Sequence, residues 1–313
     1  MATEIIKINN PLFTFNDYLL TGISMNPRTI AENVRSVFSL PDIALQINEL
    51  ISSGEASNGE LEQIILHDPA LAAKVLKFAN SAYFGFSGRI DTISRATSII
   101  GHKELRNLVI ATSVTSMFEG ISSDLIDMET FWYHSVTCGV VARLFAAHHK
   151  NKGQERFFIA GLLHAVGKLI LLSQFPKESA ETLRFKDQGN YAITNAEREI
   201  FGFTHAELGA ELLKLWKLPP SIWKIIEFQH NPLNGEEFRD DACVLHVATN
   251  FADCIQSCAD RDINFDELKP AYQPEVWNYL GFDSEINEPI REESGLQIFD
   301  ILSVIRPQTV MVF

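Results

Sequence analysis

Apolar residues along this chain recur at three- and four-residue spacing nearly throughout, and the strict alternation of a half-buried strand is scarce. The pattern predicts an all-α protein. Residues 1–30, with the breakers "NNP" and "MNP", read as an N-terminal extension holding at most a short helix. Helices follow from Leu40-Pro41: "LPDIALQINELI", a break at "SSGEASNGE", then "LEQIILH". In "LHDPALAAKVLKFANSAYFG" the boundary has a mechanism. Asp68 can accept from the orphan amides of a first turn, and Pro69 stands where its missing N–H costs nothing. Leu71, Val75, Leu76 and Ala79 then repeat at helical spacing up to an exit at Gly85 and Gly88. A helix over 94–100 stops at Gly101, and "KELRNLVIATSVTSMF" makes a longer one.

The polar stretch "EGISSDLIDMET" at 119–130 divides the chain. The expected arrangement is an N-terminal helical lobe over 31–120, a second helical bundle over 121–260 and an accessory segment over 261–313. In the second bundle, "FWYHSVTCGVVARLFAAHH" precedes "GLLHAVGKLILL", which reads as one continuous helix. A long charged helix near 177–190 follows, then "THAELGAELLKLW", "PSIWKIIEFQH" and "ACVLHVATNFADCI". The acidic run "DSEINEPIREES" reads as a solvated loop before an apolar tail. Trp277, Tyr279, Leu280, Phe282, Leu296, Phe299 and Leu302 would supply the apolar surface on which that last segment packs back. The seam between the two lobes is a second place to expect a pocket.

Composition narrows the class. At 313 residues and 46% hydrophobic, the chain has ample material for sizeable cores. No basic segment followed by an apolar run opens it, and nothing approaches the roughly 18 uninterrupted apolar residues of a membrane span, so a cytoplasmic protein without membrane contact is expected. Cys138, Cys243, Cys254 and Cys258 are too few for a disulfide framework, and the i,i+4 pair Cys254 and Cys258 reads as helix packing. The net charge of −14 argues against nucleic acid, because phosphate neutralisation needs Lys and Arg. One local basic excess remains over 71–118, from Lys74, Lys77, Arg89, Arg95, Lys103 and Arg106.

Several enzyme signatures nearly match. Gly161 to Lys168 has one residue too many for a phosphate loop and no Ser or Thr after the lysine. "HAE" at 205–207 has the zinc-deaminase H-x-E but no P-C-x-x-C partner. No G-x-S-x-G, G-x-G-x-x-G or H-E-x-x-H occurs. What remains is a set of histidines on consecutive helices: His134, His164, His205 and His230.

Here the chain resembles a known family. The order "FWYHS…ARLFA", "GLLHAVGKLILL", "FGFTHAELGAELLKLWKLPPSIWKIIEFQHNP", "VLHVATNFAD" is similar to that of the HD superfamily of metal-dependent phosphohydrolases, including the HD-GYP cyclic-di-GMP phosphodiesterases. The closer resemblance is to the HDOD family, the HD-related output domain of bacterial signalling proteins, over about 38–260. Its N-terminal half carries that family's DPxL…NSA…I…A…LG pattern in "ILHDPALAAKVLKFANSAYFG" and "IDTISRATSIIGHKELRNLVI".

The resemblance places His134 at the superfamily's first histidine, His164 at the histidine of the HD pair, and His205 and His230 at its later histidines. Three positions depart from the catalytic pattern. Ala165 replaces the HD aspartate, Gln229 stands where catalytic relatives have a second histidine, and Thr249 falls where the last aspartate is expected. A two-metal hydrolase needs carboxylates to bridge its cations, and methyl, amide and hydroxyl groups cannot do that. The resemblance therefore implies an HD-like bundle with no catalytic residues, no resident metal and no cofactor, a single divalent ion at the histidines being the disfavoured alternative. Lys168 survives, one turn beyond His164. It implies a vestigial pocket of His134, His164, Lys168, His205, Gln229 and His230 for a nucleotide or other anionic small molecule, in a regulatory pseudoenzyme that acts on signalling protein partners. Residual phosphodiesterase or phosphatase activity, and nucleic-acid binding through 71–118, are the alternatives.

Overall fold

The structure, a computed structural model, describes residues 25–81, 83–84, 89–118, 125–149, 153–261, 273–307 and 309, with side chains at 187 and 256–261 left aside. Most of the expected extension, the 119–124 part of the dividing stretch, Gly85, Gly88 and the Cys258 side chain lie outside the described residues.

Among the described residues the chain is helical and has no strand, and the helix boundaries have local causes. α1 (Pro27–Val34) starts on Asn26, whose side chain accepts from the Thr29 amide. α2 (Asp42–Ser53) ends at Gly54 with φ 78, and α3 (Asn58–Leu66) opens with a capping box between Ser57 and Glu60. α4 (Pro69–Ala79) is capped by Asp68, which accepts from the Ala70 and Leu71 amides. α5 (Ile93–Ile100) stops at Gly101, and α6 (His102–Met117) departs from it. α7 (Met128–His148) begins on Asp127. Then come α8 (Glu155–Leu163), α9 (Val166–Gln174), α10 (Pro176–Leu183), α11 (Asn190–Phe201), α12 (His205–Leu215), α13 (Pro220–Glu227), α14 (Arg239–Arg261), α15 (Pro274–Leu280) and α16 (Asn287–Ile305).

α7 is the axis of the molecule. It is buried on nearly every side, packing on α8, α14 and α16, as its all-round apolar character requires. It meets α8 backbone to backbone at Gly161, where a Cβ would lie 2.6 Å from the Cys138 carbonyl. Arg156 locks α8 to α14 through two hydrogen bonds to Asp241, at 2.8 and 2.9 Å. The helical run Glu155–Gln174 is long and apolar enough to cross a membrane, and 89% of its most apolar window is buried inside the fold.

The earlier helices share this core. α1 packs on α12, and α6 on α8. Asn48 donates to the Trp216 and Lys217 carbonyls, and Trp216 Nε1 donates to Phe38 O at 3.0 Å. Buried residues from Ile30 to Ile305 form one continuous cluster.

Four expectations need correction. The charged stretch near 177–190 is not one helix: α10 ends at Leu183, a short 3-10 turn follows, and α11 starts after Gly189 at φ 88. The acidic run is not a loop. It supplies a 3-10 turn and the start of α16, where Pro289 is tolerated in the first turn and Glu288 pairs with Arg291. Leu280 and Leu302 are buried as expected, with Trp277 and Phe282 packed against the core, whereas Tyr279, Leu296 and Phe299 face solvent. "GLLHAVGKLILL" breaks at His164-Ala165, between α8 and α9.

Glu104 on α6 gives one prediction. It is buried, accepts from the Tyr83 hydroxyl at 3.0 Å, and has Arg143 nearby, stacked on the Tyr83 ring. Burial pushes its carboxyl up to about 7, against the Tyr83 hydrogen bond and Arg143. The folded state therefore holds this proton more tightly than the unfolded chain does. The Glu104 contribution is full at pH below the ordinary carboxylate value, falls as pH rises towards 7 and is flat above. Glu104→Gln keeps the acceptor and removes the titration. Urea unfolding should show the variant gaining about 2 kcal/mol on the wild type between pH 5 and pH 8. Parallel profiles would contradict this assignment.

Candidate functional site

A cavity of about 530 Å³ has a lining drawn from residues between Ile126 and Gln273. All six residues expected of the pocket line it: His134 from α7, His164 and Lys168 from the α8–α9 break, His205 from the start of α12, and Gln229 and His230 from the end of α13. His246, Thr249, Asn250 and Asp253, spaced i, i+3, i+4, i+7 along one face of α14, form the facing wall.

The helix break shapes the site. Ala165 takes φ −109 and ψ 10, which ends α8 and tips His164 inward. His164 Nδ1 donates to the Gly161 carbonyl at 2.7 Å. The break frees the His164 carbonyl, and Gln229 Nε2 donates to it at 2.9 Å. Gln229 is thus a clamp on the broken turn, and its buried Oε1 has no hydrogen-bond donor among the described residues.

The hydrogen bonds also set the tautomers. A carbonyl only accepts, so His164 carries its proton on Nδ1 and presents a bare Nε2. His205 Nδ1 donates to the Glu197 carboxylate at 2.8 Å, leaving its Nε2 to accept from His230 Nε2 at 3.3 Å. His246 Nδ1 donates to the Gln229 carbonyl, and its Nε2 accepts from the Gln273 amide.

Burial holds these imidazoles neutral. His164 is pushed well below the ordinary histidine range by burial, then by His134 and Lys168. His205 is lowered by burial and Lys168, and His230 by burial and His205. Burial likewise raises Glu197, against the nearby Lys168. Lys168 is partly buried among them, and no described carboxylate lies within ion-pair distance of it. Asp127 on the rim is spent on capping α7.

These residues do not fit a two-cation hydrolytic centre. At the two positions that the resemblance assigns to acids, Ala165 has a methyl group and the Thr249 hydroxyl donates to the His246 carbonyl, and neither group can bridge two cations. One acid is present that the reading of Thr249 passed over. Asp253, a turn further along α14, lies with Oδ1 3.6 Å from His134 Nε2, while its Oδ2 accepts from Asn190 at 2.6 Å. Cys138 was also missed, although its place four residues after His134 puts both on one face of α7. Glu197 and Asn190 carry no local sequence signal for their parts in the site.

With this geometry in hand, comparison with known proteins is direct. The HDOD domain model matches residues 37–232. An uncharacterised protein of Treponema pallidum is 26% identical over 216 residues, which are 67% of this chain and 41% of that protein. The chain thus spans under half the length of this curated relative. The crystal structure of a candidate phosphohydrolase from Shewanella amazonensis superposes with a TM-score of 0.71 at 24% identity, covering 90% of this chain and 99% of that one. That of a candidate signal transduction protein from Marinobacter aquaeolei gives 0.63 at 21% identity, covering 88% and 60%. At such identities the likeness to the two structures is one of fold.

Proposed function

The chain belongs to the HDOD domain family, and from that premise we propose that it is a non-enzymatic signal-transduction and regulatory module. Its cavity holds an anionic small molecule, a nucleotide by preference, and the loaded or empty state is passed on through protein contacts. The observation that carries this reading is Lys168 on the cavity wall among neutral imidazoles, a cation with no described carboxylate within ion-pair distance. Lys168 attracts a phosphate. The bare nitrogen of His164 suits a donor such as a ribose hydroxyl or a base amine. Tyr191 stands at the mouth, 72% exposed, where a base can stack. A volume near 530 Å³ lies within the range of small-molecule pockets. The exposed Leu296 and Phe299 suit a protein contact, and the fold likeness to the Marinobacter protein agrees with a signalling role.

One observation favours a second reading, a degenerate phosphodiesterase or phosphatase with residual activity: the Asp253 carboxylate beside His134. Nucleic-acid binding through 71–118 gains nothing, because Arg106 is buried and Lys77 donates to the Ser303 carbonyl. The deciding test is incubation of the purified chain, with and without added zinc or manganese, with cyclic dinucleotides and a generic phosphodiester. No product above the buffer control is expected. Turnover that disappears in Asp253→Asn would establish the second reading instead.

A further inference from the structure

A smaller annex of about 50 Å³ lies against the histidine cavity, and Ile126, Phe131, Lys168 and Leu183 belong to both linings. Beyond these shared residues the annex is walled by Leu171 and Leu172 of α9 and Ile193 of α11, and no histidine lines it. Its other polar members are Ser179, Thr182 and Glu197. We propose that the anion held by Lys168 is a phosphate ester, and that a short aliphatic arm on its phosphate enters this annex.

Lys168 is common to the two spaces, so a phosphate on its ammonium group borders the polar cavity and the apolar annex alike. Size limits the arm. Where one water needs roughly 10–15 Å³, the annex takes about three to five non-hydrogen atoms, the size of a propyl or butyl group. Ser179 shows that the protein does not complete this space by itself. It is 3% exposed and its hydroxyl has no hydrogen-bond partner among the described residues, whereas the Thr182 hydroxyl donates to the Ser179 carbonyl. A buried hydroxyl left unpaired is costly, and an oxygen on the arm would satisfy it.

Charge decides what the arm is not. Glu197 accepts from the backbone amide and the Nδ1 of His205, which holds its carboxyl group at the annex wall. A second phosphate pushed into the annex would meet that carboxyl group among aliphatic side chains, with Lys168 as the one cation in the lining. An aliphatic arm meets no such penalty and gains from every methylene it buries, by about fourfold in affinity for each. The proposal rests on Lys168 as the anchor of the anion and adds the chemistry of what the anion carries.

Titration calorimetry of the full chain with inorganic phosphate and with methyl, ethyl, propyl, butyl and hexyl phosphate tests it. Affinity should rise about fourfold per methylene as far as the butyl ester and level off beyond it, where the annex is full. Ile193→Phe, which narrows the annex, should bring butyl phosphate down to the affinity of methyl phosphate. A series that is flat from methyl to butyl in the wild type, with inorganic phosphate still bound, would overturn the annex and leave Lys168 as anchor. No binding of any phosphate would overturn both. A rise that continues unchanged through hexyl phosphate would place the arm on open apolar surface and also overturn the proposal. The wild-type series stands however the variant folds. If the variant does fold, a butyl preference that survives in it would count against the annex as well.

Discussion

Replacing Lys168 with methionine is expected to weaken nucleotide binding by about tenfold to a hundredfold, the value of a charge-assisted hydrogen bond to a phosphate in a partly desolvated site. The effect should be confined to binding. The methionine keeps the apolar stem that packs in the cavity wall, and Lys168 has no described ion-pair partner to leave behind, so the thermal midpoint should move little. The loss should also depend on the ligand. A nucleoside without a phosphate has nothing for Lys168 to hold, so its affinity should be unchanged in the variant. Titration calorimetry with a mononucleotide, a cyclic dinucleotide and the matching nucleoside checks both statements. Equal affinities of wild type and variant for the phosphorylated ligands would remove Lys168 from the site.

Gly167→Ala is expected to cost at least about 3 kcal/mol of stability, or to prevent folding outright. A Cβ at Gly167 would lie 2.0 Å from the His205 carbonyl oxygen and 2.8 Å from the Gly209 amide nitrogen. Both neighbours are backbone of α12, which cannot turn aside as a side chain can. α9 and α12 would have to separate, and His205, which starts α12 inside the cavity, would move with it. For a chain of this size that loss corresponds to a fall in the melting midpoint of roughly 5 °C. The control is Gly295→Ala on α16, where a Cβ meets nothing within 4 Å. There the better helix propensity should stabilise by up to about 1 kcal/mol. Thermal unfolding of the two variants side by side gives the contrast, and a Gly167→Ala protein as stable as the wild type would contradict the close packing of these helices.

What could be read before the structure was what local physics controls. Asp68-Pro69 and Gly101 stand in single short stretches, and each kept its expected part, cap and helix stop, whereas a shared place for the histidines, spread over four helices, was implied by the family resemblance. The failures share one cause, which is that tertiary contacts override local signals. "GLLHAVGKLILL" is apolar enough for a continuous helix, yet it breaks at Ala165 because Gln229, 65 residues away, takes up the freed His164 carbonyl. The acidic run became helix because its charged face looks outward while Ile290, Ile298 and Ile301 bury the other side. Asp253 could have been found by following the face of α14 one turn past Thr249. Cys138 could have been found by asking what lies four residues after His134. Glu197 could not, since its bond to His205 depends on how α11 returns to the start of α12.

The central claim is that the histidine cavity holds an intact anion on Lys168 and does not hydrolyse it. A crystal structure of the chain grown with a saturating cyclic dinucleotide or mononucleotide tests this most directly. The account predicts an uncleaved ligand in the cavity with a phosphate oxygen about 3 Å from Lys168 Nζ. A cavity holding only water at saturation, a ligand bound elsewhere, or cleavage products in its place would contradict it.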